Sequence, residues 1–211
     1  MTKLEIFSDP ICPWCLIGKT RLDRALATQP DHPFQIAWYP FQLNPDMPAE
    51  GMDRRAYLEA KFGGRDGALR VYGQIAETAE AEGIEIDFAA IQRTPNTLNA
   101  HRLIHWAGIE GHQNAVVDAL FAAYFQQGRD IGDIEVLSDI ADACGLDAAV
   151  ILKLLKSDVD VKVIREGDEA ARKMGITAAP TFIVGGAHAV PGAQPTELWQ
   201  KVISELSAAA S

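Results

Sequence analysis

Two stretches of alternating strand and helix enclose a long segment in which nearly everything reads as helix. At the start, residues 4–7 alternate in polarity and predict a strand, and Asp9-Pro10 breaks it. Residues 13–28 then repeat apolar positions three and four apart (Ile17, Leu22, Ala25, Leu26), as a helix does. Residues 34–39 predict a second strand. From residue 54 to about residue 155 the periodicity is helical almost throughout. Leu69, Tyr72, Ile75, Ala76 and Ala79 share one face, which Gly83 ends. Thr94-Pro95 reads as a cap and first position of a helix carrying Ala100, Leu103, Ile104 and Ala107 inward. Residues 111–127 are rich in Val, Leu, Phe and Tyr, and Asp133 and Asp147 are caps for two shorter helices.

The last third returns to mixed structure. Asp160 reads as the cap of a helix with Ile164, Gly167, Ala171 and Met174 inward, ending at Gly175. Residues 181–184 and 187–190 predict a hairpin around Gly185-Gly186. Pro195 or Thr196 opens a final helix that buries Leu198, Trp199, Val202, Ile203 and Leu206. The order is therefore β-α-β, a helical block, then α-β-β-α. Without the block, what remains is a small α/β sandwich, so the block reads as an insertion. The expected division is residues 1–50 and 158–211 for the sandwich and 51–157 for the helical domain. The Ala/Ser-rich C-terminus is expected to fray.

Charge and composition narrow the partners. The net charge of −10 repels phosphate backbones and anionic lipid, which argues against nucleic acid and membrane surfaces. At 48% hydrophobic residues the chain can bury a core. No apolar run approaches the roughly 20 residues of a membrane span, and the first ten residues do not read as a signal peptide, so a cytoplasmic protein is expected. Three cysteines are too few for a disulfide scaffold.

Two of those cysteines form Cys12-Pro13-Trp14-Cys15, between a strand and a helix. Disulfide exchange needs a thiolate, and the free N–H groups and dipole of a helix N-terminus stabilise one, so Cys12 is the expected nucleophile with a lowered pKa. Cys15, three residues on, lies on the same helical face and can attack a mixed disulfide formed at Cys12. Pro13 suits the first turn, whose N–H is unpaired anyway. Trp14 is expected to stand exposed as a partner contact. A metal site would need two more soft ligands; none is at sensible spacing, so no metal is expected. Cys144 reads as a small buried hydrophobe. Trp38, Trp106 and Trp199 read as core, and His188 as exposed.

Thr177-Ala178-Ala179-Pro180-Thr181-Phe182, just before a strand, is weak alone but strong beside the cysteine motif. With it the chain resembles the thioredoxin superfamily. That resemblance implies a cis Ala179-Pro180 peptide facing Cys12, with the Ala179 backbone pairing an extended substrate as an added strand. Ser8-Asp9-Pro10-Ile11 before Cys12, Thr94-Pro95-Asn96-Thr97-Leu98-Asn99-Ala100-His101-Arg102, and Gly192-Ala193-Gln194-Pro195 look like the FrnE-type subgroup of DsbA-like proteins. The subgroup is related to 2-hydroxychromene-2-carboxylate isomerases and kappa-class glutathione transferases, which usually carry serine where this chain has Cys12. The resemblance implies a thioredoxin fold with an inserted helical domain. It also implies that Asn96 and Thr97 face Cys12, although they serve equally as helix caps. Gln194 would either hold a glutathione carboxylate or cap the last helix. His101 and Arg102, being adjacent, point apart, and a surface or domain-interface role is expected of them.

The expected activity is dithiol–disulfide exchange on a thiol- or disulfide-containing protein or small molecule. No bound cofactor is expected, and glutathione would serve as reductant or co-substrate. The alternatives are a glutathione-dependent isomerase or transferase of a small aromatic substrate, and a chaperone-like binding protein. Monomer and homodimer both fit.

Overall fold

A computed structural model describes residues 1–209. Four strands, β1 (Thr2–Ser8), β2 (Phe34–Pro40), β5 (Thr181–Val184) and β6 (His188–Pro191), form one sheet in the order β2-β1-β5-β6. β1 runs parallel to β2, with Ile6 opposite Trp38, and antiparallel to β5, with Ile6 opposite Phe182. α1 (Pro13–Thr28) and α9 (Thr196–Ala209) pack together on one face, and α8 (Val161–Lys173) lies against β2. The strand–helix–strand opening and the closing hairpin follow the periodicities in the sequence. β5 is buried at all four positions, as expected where a strand is covered on both faces. The expected sandwich with a helical insertion is therefore present.

Between β2 and α8 lie α2 (Arg54–Phe62), α3 (Arg65–Ala81), α4 (Leu98–Ile109), α5 (Gln113–Phe121), α6 (Ile134–Ala143) and α7 (Ala148–Leu155). α5 continues as a π-turn, Ala122–Gln126. One apolar cluster runs from the sheet (Leu4, Ile6, Phe182) into this block (Leu103, Leu120, Leu137). Gln113 joins the two by polar contact as well. Its Oε1 accepts the Trp38 N–H at 2.9 Å and its Nε2 donates to the Trp38 carbonyl at 3.1 Å, closing the free edge of β2. Among the described residues no helix is long and apolar enough to cross a membrane.

The structure corrects several expectations. Thr94 does not cap a helix. It sits in a short antiparallel pair, β3 (Met52–Asp53) with β4 (Arg93–Thr94), and the proline after it favours that extended backbone. The block is thus not wholly helical. Asp160 is the residue before α8 but does not cap it; at φ +60° its carboxylate accepts the Trp106 indole N–H at 2.8 Å. Leu69, Ala76 and Met174, expected inward, are exposed, and Met174 follows the end of α8. Cys144 is only half-buried and follows the last turn of α6. Asp133 and Asp147 do cap their helices, and Trp38, Trp106 and Trp199 are buried. Part of the expected fraying falls on Ala210 and Ser211, which lie outside the described residues.

Of the surface or domain-interface role expected of Arg102, its burial excludes the surface. Arg102 is 1% exposed and donates to the carbonyls of Leu154, Leu155, Ser157 and Val159 and to Asn99 Oδ1. The guanidinium thereby gathers the chain between α7 and α8, which leads back to the sheet. Arg102→Met would remove this donor from four carbonyls, of which that of Leu154 keeps the Ser157 amide and hydroxyl. It is expected to lower the unfolding free energy by about 3 kcal/mol in urea titrations.

Candidate active site

The local sequence places both cysteines at one end of α1. Cys12 is the residue before the helix, and its carbonyl accepts from the amides of Cys15 and Leu16 at 3.0 and 3.3 Å. Pro13 fills the first helical position, where no donor is lost. Cys12 and Cys15 are buried and free, and Trp14 between them is exposed. The Cys12 thiol donates to the Ala179 carbonyl at 3.5 Å, and the Ala179-Pro180 peptide is cis. Segments 167 residues apart thus meet at one sulfur. Gly18 makes the approach sterically feasible: a Cβ there would stand 3.1 Å from Pro180 Cγ and 3.3 Å from the Ala193 Cα.

The two sulfurs are not equivalent. Cys15 is 1% exposed. Burial, reinforced by the neighbouring Cys12 sulfur, pushes its thiol well above the ordinary range, against contacts from the Ser8 hydroxyl and the Asp9 amide. Cys15 is therefore a protonated thiol at neutral pH.

Asp9, three residues before Cys12, is fully buried. Its Oδ1 accepts from the Ile11 amide at 3.4 Å and its Oδ2 from the Leu43 amide at 2.7 Å. Burial raises its carboxyl to about 6, against these amide hydrogen bonds and one from the Thr97 hydroxyl. His101 Nε2 stands 3.9 Å from Asp9 Oδ1, too far for a hydrogen bond, and has no hydrogen-bond partner among the described residues. Burial lowers its imidazole to about 4, so at neutral pH the neighbours are a carboxylate and an uncharged ring rather than an ion pair.

The remaining candidates divide. Thr97 is buried beside Asp9 and accepts from Gln42 Nε2 at 3.4 Å. Asn96 is half-buried; its Oδ1 accepts the Leu98 amide, as a cap does, and its Nδ2 donates to the Met47 carbonyl. Gln194 Nε2 donates to the Pro191 carbonyl at 2.6 Å within its own loop. Sequence reasoning gave Ser8 and Asp9 no role of their own and left His101 at the surface or a domain boundary. The available signal was a carboxylate directly after an apolar strand and three residues before a cysteine. Among the described residues no group of three or more His, Cys, Asp or Glu is placed to hold a metal.

The Asp9 and His101 shifts oppose one another in stability. With its carboxyl raised from 3.8 to about 6, folded Asp9 holds its proton more tightly than the unfolded chain, so it favours folding increasingly as pH falls from 6 to 4. With its ring lowered from 6.5 to about 4, His101 contributes stability above pH 6.5 that is lost as pH falls towards 4. Each amounts to about 3 kcal/mol across its window. Relative to the parent chain, Asp9→Asn is expected to lose stability on acidification from pH 6.5 to 4, and His101→Gln to gain it. Urea midpoints at half-unit pH steps would show the two slopes, and parallel slopes would refute the assignment.

Residues 3–204 match the DSBA-like thioredoxin domain family. YwbO of Bacillus subtilis is 30% identical over 205 residues, covering 96% of each chain. The solved structure of a probable DsbA oxidoreductase from Streptomyces coelicolor is 29% identical, with a TM-score of 0.86 over 97% of this chain and 89% of that one. A 2-hydroxychromene-2-carboxylate isomerase shares the fold at 15% identity, with a TM-score of 0.75 over 99% of both chains. The chain belongs to the DsbA-like thioredoxin-domain family.

Proposed function

We propose that this protein is a dithiol–disulfide oxidoreductase in which Cys12 attacks and Cys15 resolves. The observation that carries the reading is the position of Cys12. It sits at the N-terminal end of α1, with its thiol 3.5 Å from the carbonyl that precedes Pro180 and a second thiol three residues behind it.

The Cys12 thiolate attacks one sulfur of a substrate disulfide. The substrate S–S bond breaks, one substrate sulfur leaves as a thiolate, and a mixed disulfide to Cys12 remains. Cys15 then gives up its proton and attacks the Cys12 sulfur, which releases the second substrate thiol and leaves a Cys12–Cys15 disulfide. The substrate gains the two electrons that the protein loses. Two molecules of a thiol such as glutathione return the pair to the reduced state, and each step is reversible. Keeping Cys15 protonated until the mixed disulfide forms confines the first attack to Cys12. The Ala179 backbone aligns the substrate segment beside Cys12, and exposed Trp14 offers it an apolar contact. The reading places the protein in the cytoplasm, where reducing conditions regenerate the dithiol.

Equilibration in graded glutathione redox buffers, followed by acid quench, alkylation and intact mass, is expected to show reversible loss of two hydrogens, assigned to Cys12 and Cys15. Cys12→Ser should abolish exchange, whereas Cys15→Ser should accumulate the mixed disulfide. Full turnover by Cys15→Ala would replace this reading with a one-thiol, glutathione-dependent reaction of the isomerase or transferase kind.

A further inference from the structure

The backbone wall that faces Cys12 is held from behind. Ala179 offers its carbonyl to the Cys12 thiol, and the next residue, Pro180, is fixed on two sides. Its carbonyl accepts the Gly192 amide at 2.8 Å, just past the end of β6. Its ring and the Ala193 backbone both lie against α1 at Gly18, where either would meet a Cβ. The turn through Gly192 and Ala193 is therefore the backing on which the Ala179-Pro180 peptide rests.

That turn belongs to no helix or strand, so its backbone groups need other partners. Arg21 supplies one. It lies one turn beyond Gly18 on α1, and its Nη1 donates to the Ala193 carbonyl at 2.7 Å. Its Nε and Nη2 both go to Glu82 Oε1, at 2.8 and 2.7 Å. Glu82 directly follows α3, and its other carboxylate oxygen takes Arg24 Nη1 at 2.6 Å. A guanidinium presents its donors in fixed directions, so it can hold a carbonyl and a carboxylate in a set relation. An ammonium on a flexible stem cannot.

The result is an unbroken series of contacts from the helical block to the reactive sulfur. Glu82 holds Arg21, Arg21 holds Ala193, the adjoining Gly192 holds Pro180, and the carbonyl before Pro180 meets the Cys12 thiol. Arg24 shares Glu82 but takes no part in the rest, since its hydrogen bonds go to the Glu82 carboxylate and carbonyl.

We propose that Arg21 is a positioning residue for disulfide exchange. Anchored by Glu82 on α3, it sets the Ala179-Pro180 wall against Cys12 so that an extended peptide disulfide laid along the wall is aligned for attack. The proposal rests on the exchange chemistry proposed above. Arg21 touches neither sulfur and acts through Ala193. Without the guanidinium, the turn behind Pro180 loses its polar tie to α1, and the wall is no longer held to one distance from Cys12. A substrate that lies along the wall then loses alignment, whereas one too short to pair with it has little to lose.

Two probes with the same reactive bond test it. One is a peptide of about eight residues, within the length of an ordinary strand, whose central cysteine is disulfide-bonded to 4-thiopyridine. The other is N-acetylcysteine methylamide bonded to the same group. In each, the Cys12 thiolate attacks the cysteine sulfur, the S–S bond breaks, and 4-thiopyridine leaves with the bonding electrons. Cys15 then displaces the cysteine thiol and leaves the Cys12–Cys15 disulfide. Stopped-flow absorbance of the released thiopyridine gives both rates with the reduced full-length chain. In Arg21→Met the ratio of the peptide rate to the small-probe rate should fall about tenfold, and in Glu82→Ala about threefold. Arg24→Met, which leaves Arg21 between Ala193 and Glu82, should change the ratio by less than about twofold. A variant that is merely less stable slows both probes alike and leaves the ratio in place. An unchanged ratio in Arg21→Met, or an equal fall in Arg24→Met, would overturn the positioning role, and an unchanged ratio in Glu82→Ala would overturn the anchor. Failure of the parent chain to release thiopyridine from either probe would instead overturn the exchange reading, and the positioning role with it.

Discussion

Asp9 accepts the Ile11 amide on one carboxylate oxygen and the Leu43 amide on the other, with the Thr97 hydroxyl beside it. Three separate pieces of chain converge on this one buried group: the turn into the cysteine helix, the exit from β2, and the start of α4. Each amide would otherwise be a buried donor seeking an acceptor, and one carboxylate satisfies two of them. The position of Cys12 above the sheet depends on that turn, and the distance from Cys12 to Ala179 depends on where the turn ends. The helical block is therefore tied to the cysteines by a hydrogen-bonded junction as well as by the shared apolar cluster.

The same junction separates the electrostatic characters of its members. Burial leaves His101 uncharged, and burial against amide donors leaves Asp9 titrating near 6. A few ångströms away, burial keeps Cys15 protonated, while Cys12 lies at a helix start with its thiol on a carbonyl. Two chemically identical side chains are thus distinguished by environment alone, which is what sequential roles in disulfide exchange require.

Arg54 and Arg102 show two ways a fold can bury a guanidinium. Arg102 spends its donors on carbonyls between α7 and α8 and so orders the return to the sheet. Arg54 is surrounded by aromatic rings, retains an unpaired donor, and lines a cavity. The first arrangement satisfies every nitrogen of the guanidinium; the second leaves one buried donor without an acceptor among the described residues.

Much of this was legible in the residue pattern. The strand–helix–strand opening, the caps at Asp133 and Asp147, and the Cys12–Cys15 pair at a helix start depend on spacings of a few residues, which local periodicity reports directly. What tertiary structure decided involves partners far apart in sequence. Thr94 was drawn into a pair with Met52, and Asp160 was turned to Trp106. His101 and Arg102, read as surface or boundary residues, were both buried. Asp9, Leu43, Thr97 and His101 became one junction, and Arg54 met Tyr72 and Tyr124 across three elements. Local sequence specifies backbone preference and which face is apolar. Whether a polar side chain is buried, and what it then pairs with, depends on long-range packing that no short window of sequence contains.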